Sequence, residues 1–204
     1  MRLLIAIPCA DTLRYEFAES LGKLLPHLSE MSVDYEVKFV AGSLIYSARD
    51  ELATTAIEGG YTHILWLDSD MQFTPEIFDL LWAAKKPFVT GIYRSRRSPY
   101  AICLFDINIP SNRVMTIPND LFEIAACGFG CVLMETEVAR EIRGKFGVMF
   151  TPTPAAGEDI AFCKRYRELG GHIYAVPDAR ANHICYVPLR VDDPSKLVEY
   201  KEQR

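Results

Sequence analysis

The chain has 204 residues, half of them hydrophobic and 24% charged, the balance of one soluble globular domain able to bury roughly 70% of its unfolded surface. A formal net charge of -5 excludes a broad cationic field for nucleic acid or an anionic membrane. The six cysteines (Cys9, Cys103, Cys127, Cys131, Cys163, Cys185) contain no Cys-x-x-Cys spacing, so reduced thiols are expected rather than disulfides or a zinc site. The apolar opening Leu3 to Ile7 is too short for a signal peptide or a membrane span, and a cytoplasmic protein is expected.

Residues 2–7 read as a first central strand, ended by Pro8. From Tyr15 to Leu28, Phe17, Ala18, Leu21, Leu24, Leu25 and Leu28 recur at helical spacing, and Pro26 is expected to kink or end that helix. Tyr35 to Ala41 alternates as a second strand. Ser47 with Asp50 resembles a capping box opening a helix whose apolar face is Leu52, Ala53, Ala56 and Ile57, closed by Gly59-Gly60. Ile64 to Leu67 with His63 in front reads as a buried third strand. The β-α-β-α-β order predicts parallel strands joined by right-handed crossovers. Neither Gly-x-Gly-x-x-Gly nor a Walker lysine loop is present.

Beyond Asp70, Thr74 is a natural N-cap and Pro75 suits a first helical position, predicting a helix over 75–84 with Ile77, Phe78, Leu81 and Trp82 inward. Pro87 to Ile92 is a strand, followed by the basic loop Tyr93 to Pro99. Residues 101–105 and 113–117 read as strands about a turn at 110–112. Leu121 to Ala126 and Cys131 to Met134 read as short apolar strands separated by Gly128-Phe129-Gly130. Residues 144–157 read as loop, Glu158 to Leu169 as a helix ended by Gly170-Gly171, and 172–176 as a strand. The second half is thus α+β, running out through His183 into a polar tail.

Asp68-Ser69-Asp70 is the principal candidate. The two carboxylates stand where a buried strand stops, and Thr74 already supplies the next helix cap. Open α/β sheets place ligands at that edge. Paired hard oxygens suit Mg2+ or Mn2+, whose shells are completed by substrate phosphates and water; the alternative is a polar turn. Glu158-Asp159 opens a helix, where acids either complement the dipole or serve as a base. His183 follows a strand and is either structural or a ligand. Gly128 and Gly130 either admit a close ligand or form a tight bend. Loop 94–97 offers three arginines for a diphosphate, or is simply solvated. Arg49, placed in the first turn of a helix where the dipole disfavours a cation, hints at an anionic partner.

Taken together, Ile5-Ala-Ile-Pro8, Ala48-Arg49-Asp50, Leu65-Trp-Leu-Asp-Ser-Asp70, Gly128-Phe-Gly130, Gly157-Glu-Asp159 with Arg165 to Gly170, and Asn182-His183 resemble a GT-A-fold glycosyltransferase of the family 2 type. The resemblance implies an α/β, single-domain nucleotide-diphospho-sugar transferase fold. Its central sheet is mostly parallel, with helices on both faces and a smaller mixed β part in the second half. It divides the chain into a nucleotide-sugar-binding half (1–92), an acceptor and catalytic half (93–186) and a polar tail (187–204). It implies a metal site of Asp70 and His183 for Mn2+ or Mg2+, and a general base at Asp159 beside Glu158. Donor contacts then fall on Pro8, Cys9, Ala10, Asp11, Ser43, Arg49, Asp68, Ser69, Gly128 and Gly130. The implied partners are a nucleotide-sugar donor and an acceptor hydroxyl on a glycan, lipid, nucleic-acid base or protein. Where family members commonly carry Asp-Asp-Gly-Ser after the second strand, this chain has Ala41-Gly42-Ser43. A sugar nucleotidyltransferase and a non-catalytic nucleotide- or carbohydrate-binding module are the alternatives.

Overall fold

A computed structural model describes residues 1–42 and 44–185; Ser43 and the expected tail at 187–204 lie outside the described residues. The strands are β1 (Arg2–Cys9), β2 (Asp34–Ala41), β3 (His63–Leu67), β4 (Met71–Gln72), β5 (Phe88–Ile92), β6 (Leu104–Phe105), β7 (Phe122–Ile124), β8 (Ala126–Cys127), β9 (Cys131–Glu135), β10 (Ile173–Arg180) and β11 (Asn182–His183). The helices are α1 (Tyr15–Glu30), α2 (Ile45–Glu58), α3 (Glu76–Ala83), α4 (Thr136–Phe146) and α5 (Glu158–Glu168).

Seven strands form the main sheet in the order β2-β1-β3-β9-β5-β10-β7. β1 lies parallel to β2 and β3, and β10 parallel to β5, while β9 runs antiparallel between β3 and β5 and β7 is antiparallel at the edge. The predominantly parallel sheet thus carries two reversed strands. The β-α-β-α-β order read from the sequence is present, and its parallel register sets Ala6 beside Trp66, so the ends of β1 and β3 open on the same edge.

Side chains alternate across the sheet with the period of two that a strand imposes. One face carries Leu4, Ala6, Ile64, Trp66, Val132 and Met134 against α2, α4 and α5. The other carries Leu3, Ile5, Ile7, Leu65, Leu67 and Leu133 against residues of α1 and α3. Helices therefore cover both faces. Five aromatic rings fill the first layer near the carboxyl edge. Phe150 stacks on Phe162 at 4.4 Å between centroids, and Phe129 meets both edge-on at 5.0 and 5.1 Å. Phe88 and Trp66 close the cluster.

The structure departs from the sequence reading in several places. α1 runs through Pro26 to Glu30, because Leu24 and Leu28 on either side are fully buried and the His27 ring meets Asp79 of α3 at 3.0 Å. These contacts outweigh one missing helical hydrogen bond. α2 starts at Ile45, so Ser47 lies inside it and no side chain caps it; Asp50 instead accepts the Phe150 N–H at 2.9 Å. Arg49 therefore sits beyond the first turn. Trp82 is 40% exposed, stacked on Phe78 rather than turned inward. The strands expected at 101–105 and 113–117 shrink to β6 with isolated bridges from Ile102 and Arg113. β10 extends through Pro177 by a register shift between Ala175 and Arg180, which lets the ring leave the ladder. α4 is an element the sequence pattern does not announce, and it runs into the stretch expected as loop from 144: Val138, Ala139 and Ile142 are buried on an otherwise charged helix, which Gly147 ends at φ 71°.

All six cysteines are free. No helix among the described residues is long and apolar enough to cross a membrane. Removing the Phe88 ring, which touches Phe129, Phe162 and Tyr166, is expected to cost about 3–5 kcal/mol in Phe88→Ala. Denaturant titration should show a lower midpoint at unchanged slope.

Candidate active site

The carboxyl ends of β1 and β3 open beside the loop joining β8 to β9. After Leu67 the chain turns: the Asp68 carbonyl accepts the Met71 N–H at 3.1 Å, and the Asp68 N–H donates to the Gly130 carbonyl at 3.2 Å. The Ser69 carbonyl accepts the Arg14 N–H at 3.2 Å, tying this turn to the loop that follows β1. Asp68-Ser69-Asp70 is therefore a turn fixed from two sides.

Two charge clusters meet there. In the first, Arg49 is only 3% exposed and lies over the Phe129 ring, 5.4 Å from its centroid. Its Nη2 donates to Asp68 Oδ1 at 2.9 Å, and its Nε stands 3.6 Å from Glu158 Oε1. Burial alone would lower the Arg49 pKa, but Asp68, Glu158 and Asp159 outweigh it and hold the pKa above its ordinary value. Arg49 Nε and Nη1 are buried without a hydrogen-bond acceptor.

Asp159 is the third acid of this group. Its Oδ1 accepts the Ile160 N–H at 2.7 Å in the first turn of α5. Burial, reinforced by Glu158 and Asp68, pushes its pKa up to about 6 despite that hydrogen bond and the Arg49 charge. A carboxylate in that range is ionised near neutrality and still basic enough to take a proton.

The second cluster is Asp70, His183 and Arg96. β11 pairs with β4 so that His183 lies opposite Met71, and the Ile184 N–H donates to the Asp70 carbonyl at 2.9 Å. That short ladder sets His183 Nε2 3.3 Å from Asp70 Oδ1. His183 Nδ1 lies 3.0 Å from the Arg94 carbonyl, which can only accept, so Nδ1 carries the proton. In the neutral ring this turns the Nε2 lone pair toward Asp70, the arrangement a metal-binding imidazole takes. Arg96 Nη1 contacts the other oxygen, Asp70 Oδ2, at 2.6 Å. Burial opposes ionisation of Asp70, but the hydrogen bond and charge of His183 in its doubly protonated form, together with the Arg96 charge, prevail and hold its pKa below the usual value.

This donor set fits a divalent cation. Among the described residues no group of three or more His, Cys, Asp or Glu side chains forms a metal cage. Asp70 and His183 offer two ligands, the number that Mg2+-type sites use when phosphates and water complete the shell.

Gly128 and Gly130 are explained by packing. The Tyr93 side chain fills the space their missing side chains leave. A Cβ at 128 would fall on the Tyr93 hydroxyl, and one at 130 would lie 2.8 Å from Tyr93 Cζ. Tyr93 Oη accepts the Gly130 N–H at 2.8 Å, and the ring meets His183 edge-on at 5.6 Å. Burial drives the Tyr93 pKa well above its ordinary value, so it stays a neutral phenol. Tyr93 escaped the sequence reading; the signal available was a pair of glycines with no partner assigned to the room they make.

Of the remaining expected donor contacts, Pro8 and Cys9 end β1 beside Val40 and Ala41, and Cys9 Sγ contacts the Val40 carbonyl at 3.7 Å. Ala10 and Asp11 are exposed in the loop beyond. Arg165 donates to the Met149 and Thr151 carbonyls at 2.8 and 2.7 Å, pinning the loop that leads into Glu158.

The fold is of the GT-A-like class. Over 92% of this chain and 44% of the other, it is similar to GalNAc-T7 crystallised with UDP, GalNAc and Mn2+, with a TM-score of 0.61 and 12% identity. It is also similar to A197 from STIV, with a TM-score of 0.59 and 16% identity over 94% of this chain and 98% of that one. This chain thus spans less than half of the GalNAc-T7 chain and nearly all of A197. No family profile matches the sequence, and no curated protein matches it.

Because the Gly128 position collides with the Tyr93 hydroxyl, Gly128→Ala should lower stability by about 1–3 kcal/mol. Tyr93→Phe should recover part of that loss in the double variant, and a thermodynamic cycle from denaturant melts checks the coupling.

Proposed function

We propose that the protein is a metal-dependent glycosyltransferase, moving a sugar from a nucleotide-diphospho-sugar to an acceptor hydroxyl with inversion. The observation that carries this reading is the meeting of Asp70 and His183, from opposite halves of a GT-A-like fold, at the edge that holds Asp68 and Asp159. Asp70 and His183 are the proposed ligands for Mn2+ or Mg2+. When bound, such an ion supplies Lewis-acid stabilisation of charge on the departing diphosphate.

Asp68 contacts the donor's ribose or sugar, held in place by Arg49. Pro8 to Asp11 and Ser69 border the same donor, with Ser43 assigned from the sequence alone. Asp159 accepts the proton of the acceptor hydroxyl as it attacks the anomeric carbon, in a pocket whose burial keeps that carboxylate basic. Glu158 beside it pairs with Arg49 and raises the Asp159 pKa further.

Incubating the protein with Mn2+ and a panel of nucleotide-sugars should release nucleoside diphosphate, with the sugar passing to water in donor hydrolysis or to an added acceptor hydroxyl in transfer. Nucleotidyl transfer would show instead as pyrophosphate release from a nucleoside triphosphate and a sugar 1-phosphate, and binding without turnover in either assay would indicate a binding module. Asp70→Ala should reduce release at least a hundredfold; a variant that turns over donor normally would overturn the metal assignment.

Asp159→Asn should keep donor affinity and lose transfer, while wild-type transfer climbs as pH rises through about 6 and then levels. Stability should move the other way. The folded protein keeps the Asp159 proton after an unfolded chain has released it, so wild-type stability falls between the ordinary aspartate pKa and about 6. The Asn variant escapes that loss, and its advantage in denaturant melts should grow across the same window and stay constant above it.

A further inference from the structure

We infer that Arg96 is a donor-diphosphate ligand that rests on Asp70 when no diphosphate is present and exchanges onto the phosphates when one binds. This rests on the glycosyltransferase reading above and adds a residue to it.

Of the three arginines in loop 94–97, Arg96 is the one whose guanidinium reaches a site carboxylate, with Nη1 2.6 Å from Asp70 Oδ2. Arg94 is engaged in holding the loop: its carbonyl faces His183 Nδ1, and its Nη1 donates to the Tyr100 carbonyl at 3.0 Å. The Ser95 N–H donates to the Ala101 carbonyl at 2.8 Å, and the Tyr100 N–H to the Arg97 carbonyl at 2.8 Å. The backbone around Arg96 is therefore closed on itself and anchored beside β11. Its side chain, 49% exposed, can change partner without any rearrangement of the loop.

Asp70 and His183 are far less exposed, at 16% and 14%, so the half-exposed Arg96 guanidinium on Asp70 Oδ2 is the more solvent-accessible member of the cluster. A divalent cation bound at Asp70 and His183 would share one carboxylate with that guanidinium, and the two like charges repel at short range. A nucleoside diphosphate resolves the conflict. It brings several negative charges to the solvent side of the site, and its oxygens suit the planar fork of arginine better than a single carboxylate oxygen does. With Arg96 on the phosphates, both Asp70 oxygens are released. Cation and diphosphate then bind with positive coupling, and the coupling is reciprocal. Arg96 thereby favours the cation that arrives with a diphosphate over the free cation.

Electron paramagnetic resonance of Mn2+ tests this without turnover. Free Mn2+ would be titrated with wild-type protein, Arg96→Gln and Arg96→Lys, alone and with saturating UDP, GDP or ADP. The wild type should bind Mn2+ weakly alone and more tightly with at least one diphosphate. Arg96→Gln should bind Mn2+ alone roughly three- to tenfold more tightly, bind the diphosphate more weakly, and lose most of the coupling. Arg96→Lys, which keeps the charge, should stay near wild type for Mn2+ alone. If Arg96→Gln binds Mn2+ alone no better than the wild type does, the exchange is refuted while the transferase reading stands. If the wild type binds neither Mn2+ nor any diphosphate, both fail together.

Discussion

The site depends on one buried positive charge. Arg49 stands between Asp68, delivered by β3, and Glu158, delivered by α5, so a single guanidinium joins the two halves of the chain at the sheet edge. A buried ion pair that loses one partner costs about 3–5 kcal/mol, so these positions are not independently replaceable. Three acids surround that one cation. Asp68 is hydrogen-bonded to it and Glu158 lies at ion-pair distance, which leaves Asp159 in a low-dielectric pocket with only a share of the compensating charge. Its elevated pKa follows first from burial, and that imbalance of charge adds to it.

The aromatic layer beneath turns this electrostatic arrangement into a rigid one. Phe129 contacts Arg49 as well as Phe150 and Phe162 and is buried, so the ring that carries the guanidinium belongs to the core. Tyr93 plays the matching part for the second cluster. It fills the space beside Gly128 and Gly130 and presents its ring edge to His183, linking the β8–β9 loop to the proposed cation site. Packing and chemistry therefore share side chains, and a core substitution here would be felt at the site.

Much of this was legible in the sequence where local pattern and tertiary role agree. Ile64 to Leu67 alternates between the two faces and stops at Asp68, so both the strand and the acidic turn that ends it could be read from one stretch. The same holds for the parallel β-α-β-α-β half and for α5 with its opening acids. The failures are non-local. Nothing near Asp50 announces that it caps the Phe150 N–H in place of its own helix, or near Pro26 that flanking leucines carry the helix past it. α4 was hidden because its buried residues are just Thr136, Val138, Ala139 and Ile142 on an otherwise charged segment. Gly128 and Gly130 read in the sequence as either a close approach for a ligand or a tight bend, and the tyrosine that packs against them is distant in sequence. Arg49 stands out in the sequence as a cation awaiting an anionic partner; in the fold it faces the protein's own carboxylates, a partnership that only the folded chain creates.

The two-residue ladder between β4 and β11 bears on the order of events during synthesis. Asp68 and Asp70 leave the ribosome early, together with the strands of the first half, whereas Asn182 and His183 are made long afterwards, following β10. Chains begin to organise from the amino terminus while still being made. A nascent chain can therefore hold the acidic turn in place for much of its synthesis with no histidine beside Asp70. The pair is completed only when the last described strand folds back across β4, so the Asp70–His183 contact forms late, after the sheet that supports it has been built.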